Sequence, residues 1–211
     1  MRSETLTRHK LLTATAILAS RDKDLARILN EHGPPPLWKR PQGFPTLVRI
    51  ILEQQVSLAS AASVYNRLLN SIDPFHPAGF IAAGEAGCRS LGVTRQKASY
   101  LFRLAEQLEG KHLRLSALTR MNDEEAKVML MSIKGIGSWS ADIYLLMAMR
   151  RADVWPAGDL ALATSLMEVK RLRQRPTEDR LYRIAECWRP YRAVAARMLW
   201  QDYLAKRGKK G

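Results

Sequence analysis

The stretch 133–142, IKGIGSWSAD, is the strongest constraint on what this chain can become. Helical patterns flank it on both sides, and Gly135 and Gly137 stand one residue apart between them. Neither carries a Cβ, so the backbone can turn tightly there and come close to another surface. The next segment, 138–150, starts a helix whose first N–H groups have no intrahelical acceptor. Such a turn offers bare amides and the positive end of a helix dipole, a setting suited to a phosphate.

Charge decides which kind of phosphate. The 211 residues carry 34 Lys and Arg against 20 Asp and Glu, a formal charge of +14. Residues 150–211 hold 15 basic and 7 acidic groups, so the excess leans towards the C-terminus without forming one charged tail. General anion attraction is one reading of that excess. Binding to a nucleic-acid backbone, weakened steeply by salt, fits the turn better. With 46% apolar residues the chain can bury one large core or two smaller lobes.

Other chemistries are excluded by what is missing. Cys88 and Cys187 stand far apart with no CxxC, which rules out a cysteine-ligated cluster and a zinc ribbon. Both thiols are expected to pack as small apolar groups in a reducing compartment. The four histidines form no HxH or HxxxH pair, so a metal hydrolase is not expected. The basic start and the run 11–19 faintly resemble a signal peptide. Thr13 and Thr15 dilute that run and Asp22 and Asp24 follow it, so a first amphipathic helix is expected instead. No run reaches the ~20 apolar residues of a membrane span. The expected location is the cytoplasm, with nucleoid association if the source is bacterial.

Helical periodicity recurs along the chain and strand alternation does not. Helices are expected at 7–19, 21–31, 44–55, 58–70, 95–109, 122–132, 138–150, 159–169, 177–186 and 190–206. Asn122 and Thr177 stand where helix caps belong, each followed by acidic residues. Gly33-Pro34-Pro35-Pro36 through Pro45 reads as a rigid connector, and Trp155-Pro156-Ala157-Gly158 breaks the chain just before Asp159.

These residues resemble a known family. The turn IKGIGSWSAD, followed by VWPAGDLAL at 154–162 with Asp159 about 17 residues beyond Asp142, is similar to the helix-hairpin-helix DNA glycosylases, a family named for the hairpin, a Gly/Pro-rich loop and an aspartate. GFPTLVRIILEQQVSLASA at 43–61, LGVTRQKASYLFRLAEQL at 91–108 and CWRPYRAVAARMLWQDYL at 187–204 fit its order. The match is strongest to the monofunctional 3-methyladenine DNA glycosylase II type and covers the chain from about residue 20. It implies an all-α, two-lobed fold: a helical bundle over 44–151 ending in the hairpin at about 122–150, a second lobe joining 1–43 to 152–211, and an active cleft between them. The bacterial type-II enzyme also has an N-terminal α/β domain, for which this chain leaves no room.

The resemblance implies roles for single residues. Asp159 is the expected catalytic carboxylate, stabilising positive charge on the sugar as an N-glycosidic bond breaks and orienting the attacking water. The same residue, after Gly158 and before Leu160, also reads as a helix N-cap, and the two roles are compatible. Trp139 stands where bifunctional members have a Schiff-base lysine, so simple hydrolysis to an abasic site is expected; Lys134, in the hairpin loop, does not replace that lysine. Trp139 and Trp200 match aromatic residues of the base pocket, where a ring can stack on a cationic alkylated purine. Core packing is the competing reading for Trp200, which shares a helical stripe with Ala193, Ala196 and Tyr203. A pocket tyrosine of the type-II enzyme falls on Ile143, with Tyr144 adjacent.

Gln55 falls at the wedge that fills the gap left by a flipped nucleotide, with Gln54 the alternative one register away. Gly135, Ile136 and Gly137 are expected to grip a phosphate through their N–H groups. Arg95, Lys97, Arg189 and Arg192 are candidate phosphate contacts, each weighed against solvated surface charge. In the family the hairpin carbonyls, here those of Met131, Ile133 and Ile136, can also hold a monovalent cation, Na+ or K+, which is optional and structural. No cofactor is required. The expected partner is double-stranded DNA with alkylated bases, bound by a monomer with no membrane attachment.

Overall fold

The computed structural model describes residues 4–208. Eleven α-helices appear among them: α1 (Arg8–Arg21), α2 (Lys23–His32), α3 (Phe44–Glu53), α4 (Leu58–Ser71), α5 (Pro77–Ser90), α6 (Arg95–Glu109), α7 (Asp123–Met131), α8 (Ser138–Met147), α9 (Leu160–Val169), α10 (Glu178–Ala185) and α11 (Arg192–Gly208). Short 3-10 turns cover Leu115–Arg120 and Glu186–Trp188. The described residues hold no strand, only an isolated bridge between Thr5 and Arg151. No helix among them is long and apolar enough to cross a membrane.

Side-chain caps set many of the starts. Thr7, Asp22, Ser57, Thr94, Asn122, Asp159 and Thr177 each accept a hydrogen bond from an N–H in the first turn of the helix they precede. At α7 the cap is reciprocal, because Glu125 also returns a bond to the N–H of Asn122. Each such cap contributes about 1 kcal/mol.

Three elements differ from the sequence expectation. α5 was not anticipated, because Gly79, Gly84 and Gly87 dilute its apolar pattern; it is kinked at Gly84, whose φ of 65° no continuous helix accommodates. α3 ends at Glu53 rather than 55, since Gln55 adopts φ 56°. α8 ends at Met147 rather than 150, and Arg150 takes φ 55°.

The chain divides into two compact units, 40–144 and 1–39 with 145–211, so the expected limits at 44 and 151 move to 40 and 144. In the first, α3 is buried nearly all round through Phe44, Leu47, Val48, Ile50, Ile51 and Leu52. It packs on α4 and α6, and α5 packs on α6. Phe44, Phe80, Phe75 and Tyr65 form a relay of edge-to-face rings with centroids 4.9–5.4 Å apart. The buried carboxylate of Glu53 is held by a two-pronged bond from Arg40 at 2.8 and 2.9 Å and by Arg49 at 3.2 Å. A paired and fully bonded charge of this kind avoids most of the desolvation cost.

In the other unit, α11 packs on α9, α2 and α1. Asp22 caps α2 and also accepts from Lys170 Nζ and from the indole N–H of the buried Trp188. Lys170 and Trp188 pull this carboxyl below its ordinary value, outweighing the burial that would raise it. Arg197 is fully buried on α11 and donates to the Leu146 carbonyl at 2.8 Å. Burial without an anionic partner lowers its pKa to about 10.

Candidate active site and nucleic-acid interface

Asp159 follows the tight turn Pro156–Gly158, closed by a bond from its own N–H to the Pro156 carbonyl at 3.0 Å. It leaves that turn in an extended conformation and caps α9, accepting from the Leu162 N–H through Oδ1 at 2.8 Å. The same Oδ1 accepts from the indole N–H of Trp200 at 3.1 Å. The side chain is only half-buried and the adjoining Leu160 is 64% exposed, so this carboxylate stands at an accessible edge of its unit. The N-cap role and an accessible acid coincide on one residue, held from two directions.

The hairpin and the loop after α3 belong to the other unit. Between α7 and α8 the Ile136 N–H closes the turn on the Ile133 carbonyl at 2.9 Å, and Gly135 takes φ 92°. A Cβ on Gly135 would collide with the ring of Tyr100, so both backbone angle and space require glycine there. Gly137 is exposed, with open space where a Cβ would be. Lys127 on α7 pairs with the buried Asp142 on α8 at 2.9 Å, joining the two helices of the hairpin. Burial pushes the Asp142 carboxyl up to about 6, against the opposing pull of Lys127 and a bond from Ser138.

The two glutamines after α3 are sorted by geometry. Gln54 turns inward, its Nε2 donating to the Gly135 carbonyl at 2.8 Å and to Ser140 Oγ at 2.9 Å. Gln55 is exposed in a left-handed backbone conformation that a residue with a Cβ rarely takes. Exposed Val56 and Leu58 follow it. This loop is therefore fastened to the hairpin through Gln54 while Gln55 stands at its tip.

Residues 48–190 match one family model, that of the HhH-GPD superfamily base excision DNA repair proteins. The chain belongs to the HhH-GPD superfamily. Two fission yeast (Schizosaccharomyces pombe) relatives illustrate the likeness. The alkylbase DNA glycosidase-like protein mag2 is 26% identical over 87% of this chain and 90% of its own length. DNA-3-methyladenine glycosylase 1 is 26% identical over 85% of this chain and 80% of its own. In fold the chain resembles the solved structure of fission yeast 3-methyladenine DNA glycosylase in complex with abasic DNA, with a TM-score of 0.74 and 24% identity over 90% of this chain and 95% of that one.

Within this HhH-GPD chain several expected site residues have other duties. Ile143 and Tyr144 are 4% and 1% exposed, and the Tyr144 hydroxyl accepts from the Gly43 N–H at 2.9 Å. Burial raises the Tyr144 phenol above its ordinary value. Trp139, one turn earlier on α8, is half-buried and is the aromatic residue there with surface to offer. Lys97 does not reach outward for a phosphate. Its Nζ donates to the Leu52 and Gln54 carbonyls at 2.8 Å each, capping the C-terminus of α3, and burial lowers its pKa. Arg95 begins α6 and is exposed.

Arg189 and Arg192 are engaged with Asp153 and Glu186 instead of standing free for DNA. The Ile136 N–H is already spent on Ile133, so a phosphate grip would use Gly135, Gly137 and the first amides of α8. Cys88 is buried, and burial raises its thiol to about 11, but Cys187 is exposed rather than packed. Trp38 escaped the sequence reading. It follows the rigid Pro34–Pro36 segment and sets its ring edge-on to Trp200, centroids 6.5 Å apart.

Proposed function

We propose that this chain is a monofunctional DNA glycosylase of base excision repair that excises alkylated purines such as 3-methyladenine and leaves an abasic site. The observation that carries the proposal is Asp159: a half-buried carboxylate fixed at a helix N-terminus, where the sequence resemblance puts the family's aspartate. The names of the relatives point to alkylated bases as the substrate.

In the reaction the C1′–N glycosidic bond breaks, and the bonding electrons leave with the base. An alkylated purine cation departs as a neutral molecule and needs no proton from an acid. Positive charge grows on the deoxyribose, and an ionised carboxylate beside it stabilises that charge. Water adds at C1′ and its proton passes to Asp159 or to solvent. Trp139 stands where an amine would be needed for Schiff-base chemistry, which supports hydrolysis without strand cleavage.

Gln55 is the proposed wedge and Trp139 a proposed wall for the extruded base. Gly135 and Gly137 are the proposed phosphate grip, with Arg95, exposed at the start of α6, contributing positive charge. A structural Na+ or K+ on the carbonyls of Met131, Ile133 and Ile136 is part of the proposal; these are hard oxygen donors suited to such an ion, although Ile133 already accepts one backbone bond. The working form is proposed to be a cytoplasmic monomer on double-stranded DNA.

The test is a labelled duplex carrying methylated purines, incubated with the protein and resolved with and without alkali. Strand breaks confined to the alkali-treated lane, with no borohydride-trapped protein–DNA adduct, are expected. Breaks without alkali, together with a trapped adduct, would replace this reading by a glycosylase/lyase. No breaks in either lane would leave a DNA-binding module without this chemistry.

A further inference from the structure

We propose that Trp200 is a positioning residue for Asp159, acting through its indole N–H rather than through its ring face. The inference rests on Asp159 being the catalytic carboxylate.

Three observations carry it. Trp200 is 8% exposed. That leaves roughly 20 Å² of the ~250 Å² a large aromatic side chain can bury, too little to cover the face of a purine. Its polar edge has a specific task, because Nε1 donates to Asp159 Oδ1 at 3.1 Å, on the oxygen that already caps α9. Its orientation is itself fixed: Trp38 sets its ring against Trp200 at 63°. The neighbouring turn of α11 is anchored by Arg197 on the Leu146 carbonyl.

An N-cap bond alone lets a carboxylate swing about its Cβ–Cγ axis. A second donor, arriving from a different helix, fixes the carboxylate plane. Reaction rates are sensitive to such orientation, because a misplaced charge stabilises the transition state less than one aligned with the charge that develops there. The indole N–H is thus placed to hold the acid in its working orientation, and stacking on the flipped base falls to other rings.

Trp200→Phe and Trp200→Leu separate the two roles. Phenylalanine keeps an aromatic face and loses the donor, whereas leucine loses both. Single-turnover excision of 3-methyladenine under saturating enzyme is expected to fall roughly tenfold to a hundredfold in both, the range for a lost hydrogen bond to a charged group. Affinity for a duplex containing an uncleavable abasic-site analogue should stay within about threefold of wild type, since the lost bond acts on rate. A Phe variant closer in rate to Trp than to Leu would overturn the proposal and restore stacking.

A second measurement reads the bond itself rather than the activity. In the otherwise intact protein, the indole N–H resonance of Trp200, assigned through Trp200→Phe, should shift upfield and lose exchange protection in Asp159→Ala. An unmoved resonance would also overturn the proposal. Failure of the parent reading looks different: Asp159→Asn would then remain active whatever Trp200 does.

Discussion

The side-chain amide of Gln54 lies 2.8 Å from the backbone carbonyl of Gly135, joining the loop after α3 to the hairpin turn within one compact unit. Lys97 adds a second tie by capping the end of α3 through Leu52 and Gln54. Under the proposed wedge role of Gln55 this anchoring matters, because extruding a base costs a few kcal/mol.

Gln54→Ala should therefore impair extrusion without touching the chemistry. With 2-aminopurine beside the lesion, the fluorescence rise on flipping is expected to shrink and the single-turnover rate to fall about tenfold, the cost of leaving one or two buried bonds unmade. Gln55→Ala should weaken flipping as well, while leaving thermal stability unchanged because the side chain is exposed. A Gln54→Ala protein that flips like wild type would remove the anchoring role.

Gly135→Ala should destabilise the hairpin. Its φ of 92° and the collision with Tyr100 act together, for a loss of about 1–3 kcal/mol in urea unfolding. Gly137→Ala, with open space around it, is the control and should cost clearly less.

Salt dependence distinguishes Arg95 from Lys97 on α6. Arg95→Gln should reduce the slope of log affinity against log salt by about 0.9, as expected for one lost phosphate contact. Lys97→Met should leave that slope unchanged and instead lower the unfolding midpoint, because its ammonium serves α3. Equal slope changes for both would return Lys97 to the DNA surface.

Asp142 gives the fold a pH dependence of known sign. Its carboxyl titrates near 6 in the folded chain and near the ordinary 3.8 when unfolded. The folded state holds the proton more tightly, so this contribution to stability is complete below pH 3.8 and is lost as pH rises through about 6. Compared with Asp142→Asn, the wild-type urea midpoint should fall between pH 4 and 6 and run parallel above. A wild type that gains stability relative to the variant over that window would contradict the assignment.

The helices and the hairpin were readable because their signals are local. Asn122 with Glu125, Thr177 before an acidic pair and the glycines of KGIG specify caps and turns within a few residues. α5 was hidden because its glycines suppress the apolar rhythm and only packing on α6 sustains it. Site residues divided along the same line. The N-cap position of Asp159 could be read from its turn, whereas the duties of Lys97, Tyr144 and Gln54 depend on partners 43 to 101 positions away, beyond any sequence window. Trp38 left one usable clue, an aromatic ring placed after three prolines that hold it in a fixed direction.

The central claim is that Asp159 supplies the negative charge that lets the glycosidic bond break. Asparagine at this position keeps an oxygen able to cap α9, so Asp159→Asn should fold and bind an uncleavable abasic-analogue duplex within a few-fold of wild type. Its single-turnover release of 3-methyladenine is expected to drop by about a hundredfold to a thousandfold. Release within about threefold of wild type, on the same duplex and at saturating protein, would contradict the account.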